Sequence, residues 1–322
     1  MAEERLSGND GILSDRFLIP PFSVLDSSLH RWQARKRLWH DLGIDSGRGR
    51  KAILTYNVRG SARDPVSQRM RDTGSTSVFD PVLAEISYRW FTPNNGVILD
   101  PFSGGSVRGF VAAKTGRSYV GVDIRPEQVR ENDEQIAASR LDGVRYVVGD
   151  SSQLDVLLPP GDTFDFLFSC PPYGDLEVYS DNPNDLSTMK PEAFLNAYRE
   201  VIRSSVARLR DDRFAAFLVG NYRDNAGNLV DFTGQTVRAF EDAGCKLYNQ
   251  FVFVTPINTL SLRAGGQFAL SRKAGLRHQS LVVFIKGNAR KAVEALGPID
   301  VTHPGGVFNN DNSNILELFT ES

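Results

Sequence analysis

The chain has 322 residues, 41% of them hydrophobic, and a net charge of −2, enough apolar residue for one large or two modest domains with a real core. Two cysteines, Cys170 and Cys245, exclude a disulfide framework and suggest a reducing compartment, and no apolar run approaches the length of a membrane-spanning helix. No Cys–His pairs stand at metal spacing, so no metal site is expected, and His30, His40, His278 and His303 read as surface or packing residues.

The start MAEERLSGND is polar and acidic, which predicts no signal peptide and a cytoplasmic location. Residues 1–30 read as loop, punctuated by Pro20-Pro21. A basic helix is expected over 29–42, stopped by Gly43. Residues 44–76 are rich in Gly, Ser and Arg and read as irregular. From Arg31 to Arg71 there are 11 Lys and Arg against three acids, so the rest of the chain is markedly acidic. Such asymmetry suggests a surface facing nucleic acid, carried by Arg35, Lys36, Arg37, Arg48 and Arg50. A solvated helix face is the plainer alternative. Trp32, Arg35 and Trp39 recur at helical spacing, so the tryptophans are expected to anchor this helix to the core.

A helix over 80–91 leads into VILDPFSGGSVRG (97–109). An apolar strand, 97–99, meets Asp100 and then a turn containing Gly104 and Gly105; a helix follows. Adjacent glycines let a ligand approach the backbone where any Cβ would block it. A second strand, 119–122, ends in Asp123, placed to take both hydroxyls of a ribose. A third, 144–148, ends in Gly149-Asp150-Ser151. The fourth, FDFLF (164–168), runs into Ser169-Cys170-Pro171-Pro172-Tyr173. Prolines lack the N–H of a ladder, so the chain must leave the sheet there in a rigid turn. Its carbonyls and the Tyr173 ring suit a planar substrate bearing an amino group, although a simple strand-ending loop explains the same residues. In an open parallel sheet all four polar ends would line one carboxyl edge.

An amphipathic helix over 190–210, a strand over 214–220, a helix over 234–244 and strands over 246–254 and 280–287 complete the pattern. The segment 255–279 contains no acid but carries Arg263, Arg272, Lys273 and Arg277. It reads as a basic loop at the substrate edge that contacts phosphate.

Over about residues 75–290 this set resembles the S-adenosylmethionine-dependent DNA amino-methyltransferases. Their first motif is similar to DPFSGGS, and their catalytic motif has the form D/N/S-P-P-Y/F/W. The segment SVFDPVLAEISYRWF (77–91) resembles the family's cofactor-flanking helix. The stretches PPFSVLD, RWQARKRLW and LGIDSGRGR resemble the N-terminal region of phage and bacterial DNA methylases. The resemblance implies a Rossmann-like class I methyltransferase fold, α/β, with a seven-stranded, mostly parallel sheet and an antiparallel last strand. It implies a basic extension over 1–76, a catalytic domain over 77–290 with the insert 255–279, and a tail over 291–322.

It further implies S-adenosylmethionine as cofactor and double-stranded DNA as partner. Phe79, Asp100, Pro101, Phe102, Gly104, Gly105, Asp123, Asp150 and Ser169 would bind the cofactor. Ser169, Cys170, Pro171, Pro172 and Tyr173 would serve catalysis. One departure stands out: Cys170 occupies the place of the family's polar residue, with Ser169 one position earlier, and a thiol is a poor acceptor. The serine tips the choice of target towards cytosine N4, whereas the cofactor-first motif order points to adenine N6. A dehydrogenase, a methyltransferase acting on RNA or protein glutamine, and a non-enzymatic DNA-binding module are the remaining alternatives. The sequence sets no oligomeric state.

Overall fold

A computed structural model describes residues 19–44, 78–172, 184–224, 226–257 and 260–299, the last without the side chains of residues 261–263. Tyr173, Arg48 and Arg50, and the proposed irregular segment and tail, lie outside the described residues apart from their margins. The elements are β1 (Val24–Asp26), α1 (His30–Asp41), α2 (Pro81–Phe91), β2 (Val97–Asp100), α3 (Val107–Lys114), β3 (Ser118–Asp123), α4 (Pro126–Ala138) and β4 (Val144–Val148). There follow α5 (Leu154–Leu157), β5 (Phe164–Ser169), α6 (Pro191–Arg208), β6 (Leu209–Val219), β7 (Tyr222–Arg223), β8 (Leu229–Val230), α7 (Phe232–Asp242), β9 (Lys246–Val254), α8 (Leu260–Ser271), β10 (His278–Lys286) and α9 (Ala289–Leu296).

The main sheet has the order β1-β9-β10-β6-β5-β2-β3-β4. Its pairings are parallel except those of β10, which runs antiparallel to both β6 and β9. This is an open, mostly parallel Rossmann-like α/β arrangement. From β2 the chain builds outward to β3 and β4, then returns to build β5 and β6 on the other side. The order therefore reverses between β2 and β5, and ligands of open α/β sheets bind beyond the carboxyl ends of the strands at such a switch point. Both sequence motifs stand at the ends of those two strands.

Alternation along the strands feeds two cores. Phe166 and Phe168 of β5, with Phe214 and Ala216 of β6, face the layer of α1, α2, α3 and α9. Leu167, Ala215, Phe217 and Phe284 face α6 and α7. Local signals set the helix starts: Asp80 caps α2 by accepting from the Val82 and Leu83 amides, with Pro81 in the first turn, and Pro191 opens α6.

Three expectations change. The sheet has an eighth strand: β1, read as loop, pairs with β9 through Val24 to Asp26. Residues 19–44 thus belong to the same sheet and core as the described residues of 78–299, and Trp32 and Trp39 are fully buried there. Trp32 packs its ring 5.6 Å from Phe253 of β9, as anchoring tryptophans should. The insert 255–279 is not all loop, since α8 occupies its middle despite the Gly265-Gly266 pair.

Candidate active site

The turn after β2 is organised around Asp100, which is fully buried. Its carboxylate accepts from the Phe102 amide at 3.1 Å, the Tyr119 hydroxyl at 2.6 Å, the Ser169 hydroxyl and the Arg108 guanidinium. Arg108 continues to the carbonyls of Phe102 at 2.6 Å and Ser103 at 3.1 Å, and lies 4.7 Å above the Phe79 ring. Burial disfavours the Arg108 charge, but Asp100, Tyr119 and Cys170 together outweigh it and the guanidinium is held more firmly protonated than usual. Asp100 and Ser169 were both expected to touch cofactor. Instead they stand behind the turn, because a buried cation must have its counter-charge and hydrogen bonds within reach. They hold the shape of the loop.

The turn itself faces a cavity of about 770 Å³. Gly104 adopts φ +48, and among the described residues a Cβ there would meet no atom within 4 Å, so its backbone lies open to the cavity. Its amide donates to Asp123 Oδ2 at 2.9 Å, and its carbonyl accepts from the Asn132 side chain at 2.7 Å. Asn132 is held by Gln128, which also accepts from Arg125, so one polar face of α4 supports the turn. Gly121 lets the loop close on β3, since a Cβ there would come within 2.7 Å of Ser103 Cβ.

Asp123 Oδ1 accepts from the Arg125 amide at 2.9 Å. Each carboxylate oxygen has a second lone pair, so both can still accept from a ligand. Burial pushes the Asp123 carboxyl above its usual range, against the pull of the Arg125 and Gly104 amides. Asp150 lines the same cavity and accepts from the Ser152 amide, while Ser151 donates to the Pro101 carbonyl at 2.6 Å. Phe79, Pro101, Phe102 and Gly105 complete this half.

The other half of the cavity is lined by Cys170, Pro171 and Pro172 beyond β5. Ser169, expected as an acceptor for the substrate, has its hydroxyl engaged by Asp100 and by the Phe102 amide at 3.2 Å. Asn221 and Tyr222, just beyond β6, line this half too and were missed. The available signal was a fifth apolar strand running directly into polar Gly220-Asn221-Tyr222. Arg108 was missed because nothing in the sequence shows that it turns inward to Asp100.

The expected DNA contacts divide. Arg35 is not one: it is buried and ion-paired with Glu85, which also accepts from Trp39 Nε1 at 2.8 Å and pairs with Arg89 at 3.1 Å. A carboxylate enclosed between α1 and α2 needs cations close by, so α1 turns part of its basic face inward. Lys36 lines the cavity and pairs with Asp80 at 3.0 Å, whereas Arg37 is exposed. Arg263 lies on α8, with its side chain outside the described atoms. Arg272 is exposed and Lys273 half-buried beside it, while Arg277 commits its Nε to the Thr255 carbonyl at 2.9 Å. Among the described residues no group of three or more His, Cys, Asp or Glu could hold a metal ion, and no helix is long and apolar enough to cross a membrane.

No protein-family model and no curated protein matches the chain. Solved structures do. TrmN from Thermus thermophilus is 19% identical, with a TM-score of 0.45, over 75% of this chain and 53% of that one. The match therefore spans about half the length of TrmN. A methyltransferase from Pyrococcus furiosus is 17% identical over 66% of this chain and 85% of its own, with a TM-score of 0.43. An rRNA methylase from Streptococcus thermophilus is 12% identical over 66% of this chain and all of its own, also at 0.43.

Proposed function

We propose that this chain is an S-adenosylmethionine-dependent methyltransferase acting on the exocyclic amine of a base extruded from double-stranded DNA, with cytosine N4 ahead of adenine N6. One observation carries the reading: a single cavity runs along the carboxyl edge from Gly104 and Asp123 to the Cys170-Pro171-Pro172 turn. A nucleoside-bearing cofactor and a planar amine would meet in it.

The residues fit the cofactor. Asp123 would accept from the ribose hydroxyls, Asp150 from the adenine amino group, and the Gly104-Gly105 backbone would receive the amino-acid part, with Phe79 flanking. When bound, S-adenosylmethionine supplies an activated methyl group on a sulfonium. The chain's own contribution is positioning. Carbonyls of the Cys170-Pro171 turn would accept from the target N–H bonds and favour a pyramidal amine, whose lone pair is otherwise delocalised into the ring. Fixed dipoles of this kind need no reorganisation during the reaction. Pro172 and Tyr222 would bound the base, and Tyr173 is proposed to stack on it. Cys170 is not needed as a nucleophile. Extrusion costs roughly a few kcal/mol, which contacts to the duplex must offset.

The test uses S-adenosylmethionine with a labelled methyl, unmethylated plasmid DNA and, in parallel, bulk RNA, followed by digestion to nucleosides. N4-methylcytosine from the DNA is the expected product. N6-methyladenine would reassign the base, and label in RNA alone would overturn the choice of DNA. Failure to bind S-adenosylhomocysteine in calorimetry would remove the methyltransferase reading altogether.

A further inference from the structure

α8 projects from the rim of the cavity. The residues before it, Thr255 and Pro256, and those after it, Leu276, His278 and Gln279, line the cavity. Its base is pinned: Leu260 folds onto Gly275 so closely that a Cβ there would lie 2.6 Å from Leu260 Cδ1, and the Lys273 ammonium lies against Gly227. Residues 265–272 are exposed around the helix's whole circumference, and among the described residues nothing stands within 4 Å of the Cβ directions of Gly265 and Gly266. A helix of 12 residues with two adjacent glycines is marginal in water without packing. Yet its tip is apolar: Leu270 is 92% and Phe268 49% exposed. Arg272, in the left-handed region at φ +57, ends the helix and sets its guanidinium 5.7 Å from the Phe268 ring centroid. From Thr255 to Gln279 there is no acid.

We propose that α8 is a wedge for the base stack of a DNA duplex. Leu270 fills the gap left by the base that enters the cavity, and Arg272 holds a flanking phosphate. The proposal rests on the reading that the cavity takes an extruded base. Apolar side chains inserted between base steps unstack and kink a duplex, and the segments on both sides of α8 line the cavity. The acid-free composition fits a polyanion and disfavours a second copy of the same cationic tip.

A recognition sequence is not needed for the test. Two labelled duplexes of one sequence, intact and with a single abasic site, are titrated by fluorescence anisotropy against the full chain. An abasic duplex already contains the gap, so the wild type should bind it about tenfold more tightly, since unstacking is least costly at a damaged site. Leu270→Gln should abolish that preference without changing affinity for S-adenosylhomocysteine. Arg272→Ala should weaken binding to both duplexes alike. A preference that survives Leu270→Gln, or its absence in the wild type, overturns the wedge while leaving the methyltransferase reading standing. Binding to neither duplex overturns both DNA readings, and a wild-type dimer that Leu270→Gln dissociates in sedimentation assigns the tip to a second copy instead.

Discussion

An acid and a serine at strand ends, Asp123 and Ser169, have different surroundings, and substitution separates them. Asp123 faces the cavity, and a charge-assisted hydrogen bond is worth about 1.5–3 kcal/mol. Asp123→Ala should therefore lower S-adenosylhomocysteine affinity about ten- to a hundredfold in calorimetry. Burial raises this carboxyl. Its ionised, accepting form is present above the raised folded value and is lost as pH falls through it. Wild-type affinity should thus weaken on acidification while pH is still above the ordinary Asp value of about 3.9. Asp123→Ala should show no such acid limb. Ser169 acts through the turn, bonded to Asp100 and to the Phe102 amide. Removing its hydroxyl should cost about 0.5–1.5 kcal/mol of cofactor binding. Steady-state kinetics of Ser169→Ala with the cofactor concentration varied should give a near-normal kcat with a raised cofactor KM. A collapsed kcat would return Ser169 to the chemistry.

At the scale of elements, the clasp between α1 and α2 is the feature most open to test. Glu85 has no exposed side chain and serves Arg35, Arg89 and Trp39 together. Removing one partner of a buried pair leaves an uncompensated charge, typically at about 3–5 kcal/mol. Glu85→Ala should lose that much in urea unfolding, whereas the double variant Arg35→Met/Glu85→Leu should recover most of it. Equal losses in the two variants would show that packing around the tryptophans, rather than the charge, holds the helices together. Because α1 also brings Lys36 to the cavity, loosening the clasp should weaken cofactor binding as well.

For the whole molecule, the proposed polyanion lies across the carboxyl edge, with α8 at one rim. Each phosphate that the protein no longer neutralises should flatten the plot of log affinity against log salt by about 0.9 for duplex DNA. Arg272→Ala should therefore reduce the slope by up to about 0.9 and weaken binding to all sequences, with cofactor affinity unchanged. An unchanged slope would place the duplex on another face. Lys273 and Arg277 are left intact because the Lys273 ammonium against Gly227 and the Arg277 tie to the Thr255 carbonyl help close the base of the segment.

The strand-to-acid pattern at Asp100, Asp123 and Asp150, and the Pro-Pro exit after Ser169, were legible without coordinates. Apolar alternation, glycine and proline act within a few residues of chain, so order, direction and motif position follow from local chemistry. The tryptophans of α1 could be read as anchors for the same reason. Which charged side chains turn inward could not. Arg35 and Arg37 are two residues apart on one helix, yet one is enclosed with Glu85, 50 positions away, and the other faces water. Asp100 and Asp123 both end strands, but Arg108 draws the first behind its loop while Asp123 stays at the cavity. β1 escaped notice because three residues make no period, and its partner β9 lies more than 200 positions later. Such pairings depend on which distant groups the closed sheet brings within hydrogen-bonding distance, and on the high cost of leaving a buried charge alone.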